Sequence, residues 1–100
     1  MNVLISIILP TYNHAKLIGN AIKSIINQSY KKWELIIIDN NSTDNTSEVI
    51  SEFKSDKIKV FKINNNGVIA TSRNFGIKKS TGEWIAFIDC RMIPDRDWLE

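Results

Sequence analysis

Leu35-Ile36-Ile37-Ile38-Asp39 and Trp84-Ile85-Ala86-Phe87-Ile88-Asp89 are two short apolar runs, and each ends in a single aspartate. Runs of this length and isoleucine content are typical of strands that are buried on both faces of a parallel sheet. Ligands of such sheets bind beyond the carboxyl ends of the strands. We therefore expect both strands to be buried and both carboxylates to lie on one rim, where a binding site would form.

The rest of the chain alternates between strand and helix patterns. Predicted strands cover 3–9, 33–38, 58–63 and 84–88, and predicted helices cover 16–28, a short segment that ends near 54, and 69–79. We expect Pro10 to stop the first strand, because proline cannot donate to a ladder. The third strand alternates apolar residues with lysines, as edge strands do. Gly76 costs its helix about 1 kcal/mol relative to alanine, which indicates close packing against the sheet.

The predicted fold class is α/β, a Rossmann-like βαβαβαβ unit with a mostly parallel four-stranded sheet. One hundred residues, 43% hydrophobic and 24% charged, describe a single globular domain over residues 1–100. The net charge of +2 is spread along the chain, which argues against a nucleic-acid partner. Cys90 is the only cysteine, so an internal disulfide is excluded, and we expect a small buried residue in a cytoplasmic protein.

The ends of the four strands would bring polar side chains to one rim. These are Thr11, Tyr12 and Asn13 after the first strand, Asp39 after the second, Asn66 and Gly67 after the third, Arg73 on the next helix, and Asp89, Cys90 and Arg91 after the fourth. No glycine-rich dinucleotide motif or P-loop follows any strand. His14 has no partner residue at a spacing that suggests a site, and we interpret it as loop surface.

Two of these residues have alternative interpretations. Asp39 could accept the N3–H of uracil while Tyr12 stacks on the ring, or it could cap the turn that follows it. Arg73 could bind a phosphate or a base carbonyl through its guanidinium, or it could form a salt bridge with Asp39 or Asp89. The residue types alone do not decide between these alternatives.

Four segments, in order and in spacing, resemble the family 2 glycosyltransferases of the GT-A fold. They are Ile7 to Asn13, Glu34 to Asp44, Asn66-Gly67 with Ser72 to Ile77, and Thr81 to Asp89. The resemblance implies that residues 1–100 form the N-terminal portion of an inverting transferase, which binds a nucleotide-diphospho-sugar, most often a UDP-sugar. It also implies an acceptor that is a glycan or is linked to a lipid, and polysaccharide biosynthesis as the process.

The resemblance also implies roles for individual residues. The implied nucleotide-binding residues are Pro10, Thr11, Tyr12, Asn13, Asp39, Asn66, Arg73, Asp89 and Arg91. Thr11 and Tyr12 would line the base pocket, and Asp39 would accept from uracil N3. Asp89 would begin the acidic motif that binds ribose and a divalent cation, Mg²⁺ or Mn²⁺. No organic cofactor is implied.

The acidic motif departs from the family pattern, because Asp89-Cys90-Arg91 stands where relatives have Asp-x-Asp. A hard cation prefers oxygen ligands and is repelled by a fixed positive charge. Arg91 could itself neutralise the donor diphosphate, or it could pair with Asp89 or Asp95 and leave the donor site impaired. We favour the second outcome, and we expect metal to strengthen UDP binding little.

No catalytic base can be assigned in this chain, because the family's base and acceptor site follow the acidic motif. We therefore expect the isolated chain to be inactive as a transferase. The alternative function is a non-catalytic module that binds a nucleotide or a protein. We also expect a homo-oligomer that forms through uncovered apolar surface. The expected location is the cytoplasm, at or near the inner face of the membrane.

Overall fold

The computed structural model describes residues 3–64 and 69–99, with the backbone alone at positions 69 and 70. The elements are β1 (Ile5–Thr11), α1 (Ala15–Ile26), β2 (Trp33–Asn40), α2 (Thr46–Ser51), β3 (Ile58–Ile63), α3 (Ile69–Lys79) and β4 (Trp84–Phe87). This order confirms the predicted βαβαβαβ unit. Asn66 and Gly67 of the predicted rim lie outside the described residues. None of the described helices is long and apolar enough to cross a membrane.

The four strands form one parallel sheet in the order β3-β2-β1-β4. The predicted α/β class and the edge position of β3 are thereby confirmed. Side chains alternate between the two faces of a strand. Ile7 and Leu9 of β1 belong to the core cluster that includes α1 and Ile50 of α2, whereas Ile8 faces Gly76 of α3. The sheet is therefore covered by α1 and α2 on one face and by α3 on the other.

The sequence predicted that β1 stops at Pro10, but the strand continues to Thr11. The Ile8 carbonyl accepts the Ile88 N–H from the β4 side, and Pro10 faces the same side because it lies two residues further on. Strand β4 ends at Phe87, so the N–H that Pro10 lacks would point past the end of the neighbouring strand. The missing donor therefore removes no hydrogen bond between β1 and β2.

The two apolar runs have different environments. Every residue of β2 is buried, as predicted. The prediction that the second run is buried on both faces is wrong, since the exposed fractions of Trp84, Ile85 and Phe87 are 62%, 39% and 41%. Strand β4 lies at the edge of the sheet, where β1 is its one neighbour among the described strands. An edge position, not a change in composition, explains the difference.

The predictions for α1 and α2 both place the carboxyl end of the helix too far along the chain. Helix α2 ends at Ser51, and α1 ends at Ile26, which leaves Gln28 outside the helix. The buried Gln28 side chain donates to the Asp95 carbonyl at 2.7 Å and accepts the Leu99 N–H at 3.1 Å. These two bonds hold the segment that contains residues 95–99 against the end of α1.

Helix α3 has the predicted bounds. Gly76 packs against the sheet, as a glycine inside a helix indicated. A Cβ placed on Gly76 would lie 2.7 Å from Cγ2 of Ile8, which is closer than any ordinary contact. Within positions 71–79 of this helix, Ser72 and Gly76 are buried, whereas Arg73 and Ile77 are exposed. Close approach of α3 to β1 thus brings Arg73 to the carboxyl end of the sheet.

Candidate functional site

A cavity of about 210 Å³ lies at the carboxyl end of β1. The predicted nucleotide-binding residues that line it are Pro10, Thr11, Tyr12, Arg73, Asp89 and Arg91. The other lining residues are His14, Asn40, Ser72 and Ile88. The cavity lies where ligands of open α/β sheets bind, and it collects side chains from three separate elements. The sequence could place these residues on one rim because parallel strands end together.

The loop between β1 and α1 is fixed by Asn13, which does not line the cavity. Asn13 has a φ of 52°, a left-handed conformation that asparagine tolerates better than most residues. Its N–H donates to Ser42 Oγ at 2.9 Å, and its Oδ1 accepts the Thr43 N–H at 2.8 Å. Ala15 N–H donates to Asp44 Oδ2 at 3.2 Å. These bonds tie the loop to the segment after β2 and hold Tyr12 at the cavity.

His14 lies in the loop, as predicted, but it is half-buried and lines the cavity. Its carbonyl accepts the N–H groups of Leu17 and Ile18 at 2.9 and 2.8 Å, which begins α1, while its side chain makes no cap bond. Among the described residues, the His14 Nδ1 atom is buried without a hydrogen-bond partner. The only available signal was its position directly after Tyr12-Asn13, because a single histidine has no pattern of its own.

Asp39 has the capping role that was one of its two interpretations. Its exposed fraction is 1%, and Oδ1 accepts the Ser42 N–H at 3.1 Å and the Ser42 hydroxyl at 2.5 Å. Ser47 Oγ donates to Oδ2 at 3.3 Å. Asp39 does not line the cavity, although its register partner Thr11 does. Its contact with uracil stays a prediction.

Asp89 and Arg91, which both line the cavity, form a bidentate ion pair. Arg91 Nε donates to Oδ1 at 3.2 Å and Nη2 donates to Oδ2 at 3.2 Å, while the Arg91 N–H donates to Oδ1 at 2.9 Å. The Arg91 hydrogen bonds lower the pKa of Asp89, and the same pairing raises the pKa of Arg91. Of the two expected partners of Arg91, the structure shows Asp89.

Arg73 follows neither of its salt-bridge alternatives. Within residues 3–64 and 69–99, no ion pair joins Arg73 to Asp39 or Asp89. Its guanidinium lies 5.5 Å from the centroid of the Phe87 ring. This contact is with a ring and not with a carboxylate, so no acidic side chain of the described residues neutralises the guanidinium. Arg73 can therefore bind an anion in the cavity.

The lining residues do not fit a site for a divalent cation. No group of three histidine, cysteine or acidic side chains that could hold a metal ion occurs in the described part of the chain. Asp89 is the acidic residue of the cavity, and both of its oxygens accept from Arg91. Mg²⁺ and Mn²⁺ prefer several oxygen ligands, so a guanidinium in this place opposes their binding.

The chain belongs to glycosyl transferase family 2, whose model matches residues 6–100. The chain is 38% identical over 86 residues to the Escherichia coli protein UDP-Glc:alpha-D-GlcNAc-diphosphoundecaprenol beta-1,3-glucosyltransferase WfgD, which covers 86% of this chain and 34% of that protein. The curated relatives are longer, and the chain spans between 12% and 40% of their length. The family resemblance of the sequence is thereby confirmed.

Solved structures of glycosyltransferases have the same fold. A mannosyltransferase from Pyrobaculum calidifontis, in complex with GDP-Man and Mn²⁺, has a TM-score of 0.89 and 29% identity and covers 99% of this chain and 31% of its own. Staphylococcus aureus TarS 1-349 in complex with UDP has a TM-score of 0.87 and 30% identity, over 95% of this chain and 29% of its own. These neighbours confirm the GT-A fold.

Proposed function

We propose that this chain is the donor-binding part of an inverting glycosyltransferase, which transfers a sugar from a UDP-sugar to a glycan or a lipid-linked acceptor. The observation that carries the proposal is the cavity at the carboxyl end of β1, because it gathers Tyr12, Arg73 and Asp89 from three of the family segments. An aromatic ring, a guanidinium and a carboxylate suit a base, a phosphate and a ribose, respectively.

The choice of uracil rests on the residues at the end of β1. Tyr12 is 49% exposed and can stack on a base, and the preceding residue, Thr11, pairs in register with Asp39 of β2. TarS in complex with UDP and the glucosyltransferase named for UDP-Glc support a uridine donor. The mannosyltransferase in complex with GDP-Man supports a guanosine donor instead, so the base has to be measured.

We propose that residues 1–100 supply one domain and that the acceptor side comes from elsewhere in the protein. The cavity of about 210 Å³ is smaller than the pockets that enclose whole ligands, about 300 to 1,000 Å³. A base that deprotonates an acceptor must lie within hydrogen-bond reach of it, and Asp89, the only carboxylate among the described residues that line the cavity, is paired with Arg91.

Calorimetric titration with UDP, GDP and CDP tests the proposed donor. The sample is the polypeptide as its gene encodes it. We expect UDP to bind most tightly, because the complex of TarS with UDP and the relative named for UDP-Glc support a uridine donor. Tighter binding of GDP would contradict the uridine assignment, and no binding of any nucleotide would contradict the donor-binding function.

A donor-hydrolysis assay separates the transferase from a non-catalytic module of the same fold. The 100-residue chain and the complete polypeptide are each incubated with UDP-glucose and with UDP-GlcNAc, and UDP release is followed. We expect release by the complete polypeptide alone. UDP binding without release by either would favour the binding module.

We also propose a cytoplasmic location at the inner face of the membrane, where a lipid-linked acceptor would be reached. The thiol of Cys90 is buried, and burial raises its pKa to about 11, which suits a structural thiol in a reducing compartment. Cell fractionation checks the location. Recovery in the soluble fraction alone would contradict the membrane association.

A further inference from the structure

The charges around the cavity suit an anion without help from a metal. Arg73 and Arg91 line it together with the carboxylate of Asp89 and the imidazole of His14. Asp39, the other aspartate of the predicted rim, is turned into hydrogen bonds with Ser42 and Ser47 and does not line the cavity. Guanidinium groups therefore outnumber carboxylates at the place where the donor diphosphate would lie.

The sequence favoured an impaired donor site if Arg91 paired with Asp89, but the observed ion pair leaves Arg91 able to bind a ligand. A guanidinium carries five N–H donors, and Asp89 receives bonds from Nε and Nη2 only. Both donors of Nη1 and one donor of Nη2 remain outside the pair. The Arg91 side chain is 70% exposed, so a phosphate would replace water at these donors and not another protein group. Asp89 fixes the fork of donors in one orientation.

We propose that Arg73 and Arg91 bind the diphosphate of the donor, that Asp89 is a positioning residue for Arg91, and that nucleotide binding here requires no divalent cation. This inference rests on the proposed donor-binding function and deepens it. A carboxylate that would hold a metal in an Asp-x-Asp motif holds a guanidinium in this chain. The positive charge that faces the diphosphate then belongs to the protein.

The two means of neutralisation compete at Asp89. A cation that bound this carboxylate would compete with the Arg91 donors for its oxygens, and it would sit beside a fixed positive charge. A phosphate meets no such competition, because it accepts from the donors that Asp89 leaves unused. The geometry thus favours the anion over the cation.

The test compares UDP binding with and without metal. Calorimetric titrations of the complete polypeptide with UDP are run in EDTA and in millimolar MnCl₂. We expect the two dissociation constants to agree within about twofold, because the Arg91 charge is present in both conditions. Binding in MnCl₂ alone would overturn the inference and leave the donor-binding function standing. No binding in either condition would contradict that function, and the inference would fall with it.

The variant Arg91→Asp converts the motif to two carboxylates two residues apart. We expect UDP affinity in EDTA to fall at least about tenfold, the usual effect of losing a charge-assisted bond, and MnCl₂ to restore a large part of it. Unchanged affinity in EDTA would overturn the role of Arg91. Far-ultraviolet circular dichroism checks that the variant is folded.

Two further variants complete the set. Arg96→Asp makes the same charge change at a residue that lines a different depression, with Ser24 and Asn27. We expect it to leave the UDP affinity unchanged in EDTA and in MnCl₂. Asp89→Asn keeps one acceptor for Arg91 and removes the charge, and we expect weaker UDP binding with no new response to MnCl₂. If UDP binding to Asp89→Asn depended on MnCl₂ as strongly as UDP binding to Arg91→Asp, the positioning role of Asp89 would be contradicted.

Discussion

Glu34 is a charged residue with an exposed fraction of only 4%, at the end of β2 opposite the cavity. Its carboxylate accepts from Lys59 Nζ at 2.8 Å, from Ser6 Oγ at 2.5 Å and from the Thr81 N–H at 2.7 Å. Burial acts to raise the pKa of Glu34, but the hydrogen bonds from Lys59, Ser6 and Thr81 outweigh it and lower the pKa to about 2. The side chain therefore links three strands and the turn before β4.

This network makes stability depend on pH. The pKa of Glu34 falls from 4.5 to about 2 on folding, which corresponds to about 3 kcal/mol of unfolding free energy. That contribution is present above pH 4.5 and is lost as the pH falls from 4.5 through 2. In urea unfolding at pH 7, Glu34→Gln should lower the unfolding free energy by about 2 to 3 kcal/mol. Between pH 7 and pH 3, its unfolding free energy should change less than that of the wild type.

The matched control is Glu52→Gln, at an exposed position just after α2. We expect it to change the unfolding free energy by less than about 0.5 kcal/mol. Equal destabilisation by Glu34→Gln and Glu52→Gln would show that the buried network contributes nothing special.

Tyr12 separates binding from stability, because its ring is 49% exposed while its loop is fixed by Asn13. If a base stacks on this ring, Tyr12→Ala should weaken UDP binding by about tenfold, since stacking on one base contributes about 1 to 3 kcal/mol. Tyr12→Phe should retain the wild-type affinity, and both variants should unfold at the wild-type urea concentration. Equal affinities for Tyr12→Ala and Tyr12→Phe would place the base elsewhere.

At the scale of single residues, the sequence predicted which side chains reach the rim but not what they contact. Parallel strands end on one side, so Tyr12 and Asp89 could be placed from the pattern alone. Asp39 could cap or bind, and only the position of Ser42 relative to it shows the cap. His14 was missed because a side chain in a loop depends on backbone conformation, which here includes the left-handed Asn13.

At the scale of elements, α3 approaches β1 through Gly76, and its packing can be tested by adding one methyl group. Gly76→Ala gains about 1 kcal/mol of helix propensity but would place Cβ 2.7 Å from Cγ2 of the fully buried Ile8. We expect a net loss of about 1 to 3 kcal/mol in urea unfolding, because a well-packed core resists an added carbon.

Gly19→Ala is the control for that change, since it adds the same methyl group to α1. The nearest atom to the new Cβ would be Cγ1 of Val49 at 3.5 Å, an ordinary contact. We expect stability to be unchanged or to rise by up to about 1 kcal/mol. If Gly76→Ala and Gly19→Ala shift stability equally, close packing at Gly76 is not the reason for its glycine.

Helix and strand patterns predicted every element, but tertiary position decided their ends and burial. Val60 of β3 and the apolar residues of β4 are exposed because each strand lies at an edge, and composition does not show where an edge falls. Strand β1 continues past Pro10 because the N–H that proline lacks would face the β4 side, where β4 has already ended. Such facts need the order of strands, which the sequence did not specify.

At the scale of the whole molecule, β4 presents an apolar edge with Trp84, Ile85 and Phe87 exposed. Unpaired strand edges promote association with other chains. We expect the 100-residue chain to form dimers or larger species at micromolar concentration by light scattering, and Ile85→Lys to shift it toward the monomer. A wild-type monomer under these conditions would contradict this prediction.

A lysine elsewhere on the surface controls for charge alone. Ile93 is 68% exposed and lies after β4, outside the strand. We expect Ile93→Lys to leave the association state unchanged. Dissociation by Ile93→Lys to the same extent as by Ile85→Lys would show that net charge, and not the strand edge, controls association.

Gln28 links the order of synthesis to the completion of the core. Its buried amide bonds to Leu99, 71 positions later in the chain, and the last strand pairs with the first. A ribosome releases the amino-terminal end first, so β1, α1 and β2 emerge long before their later partners. During that interval the amide of Gln28 and one side of β1 face solvent or a chaperone. A pause in translation before residue 99 would therefore prolong the exposure of these groups.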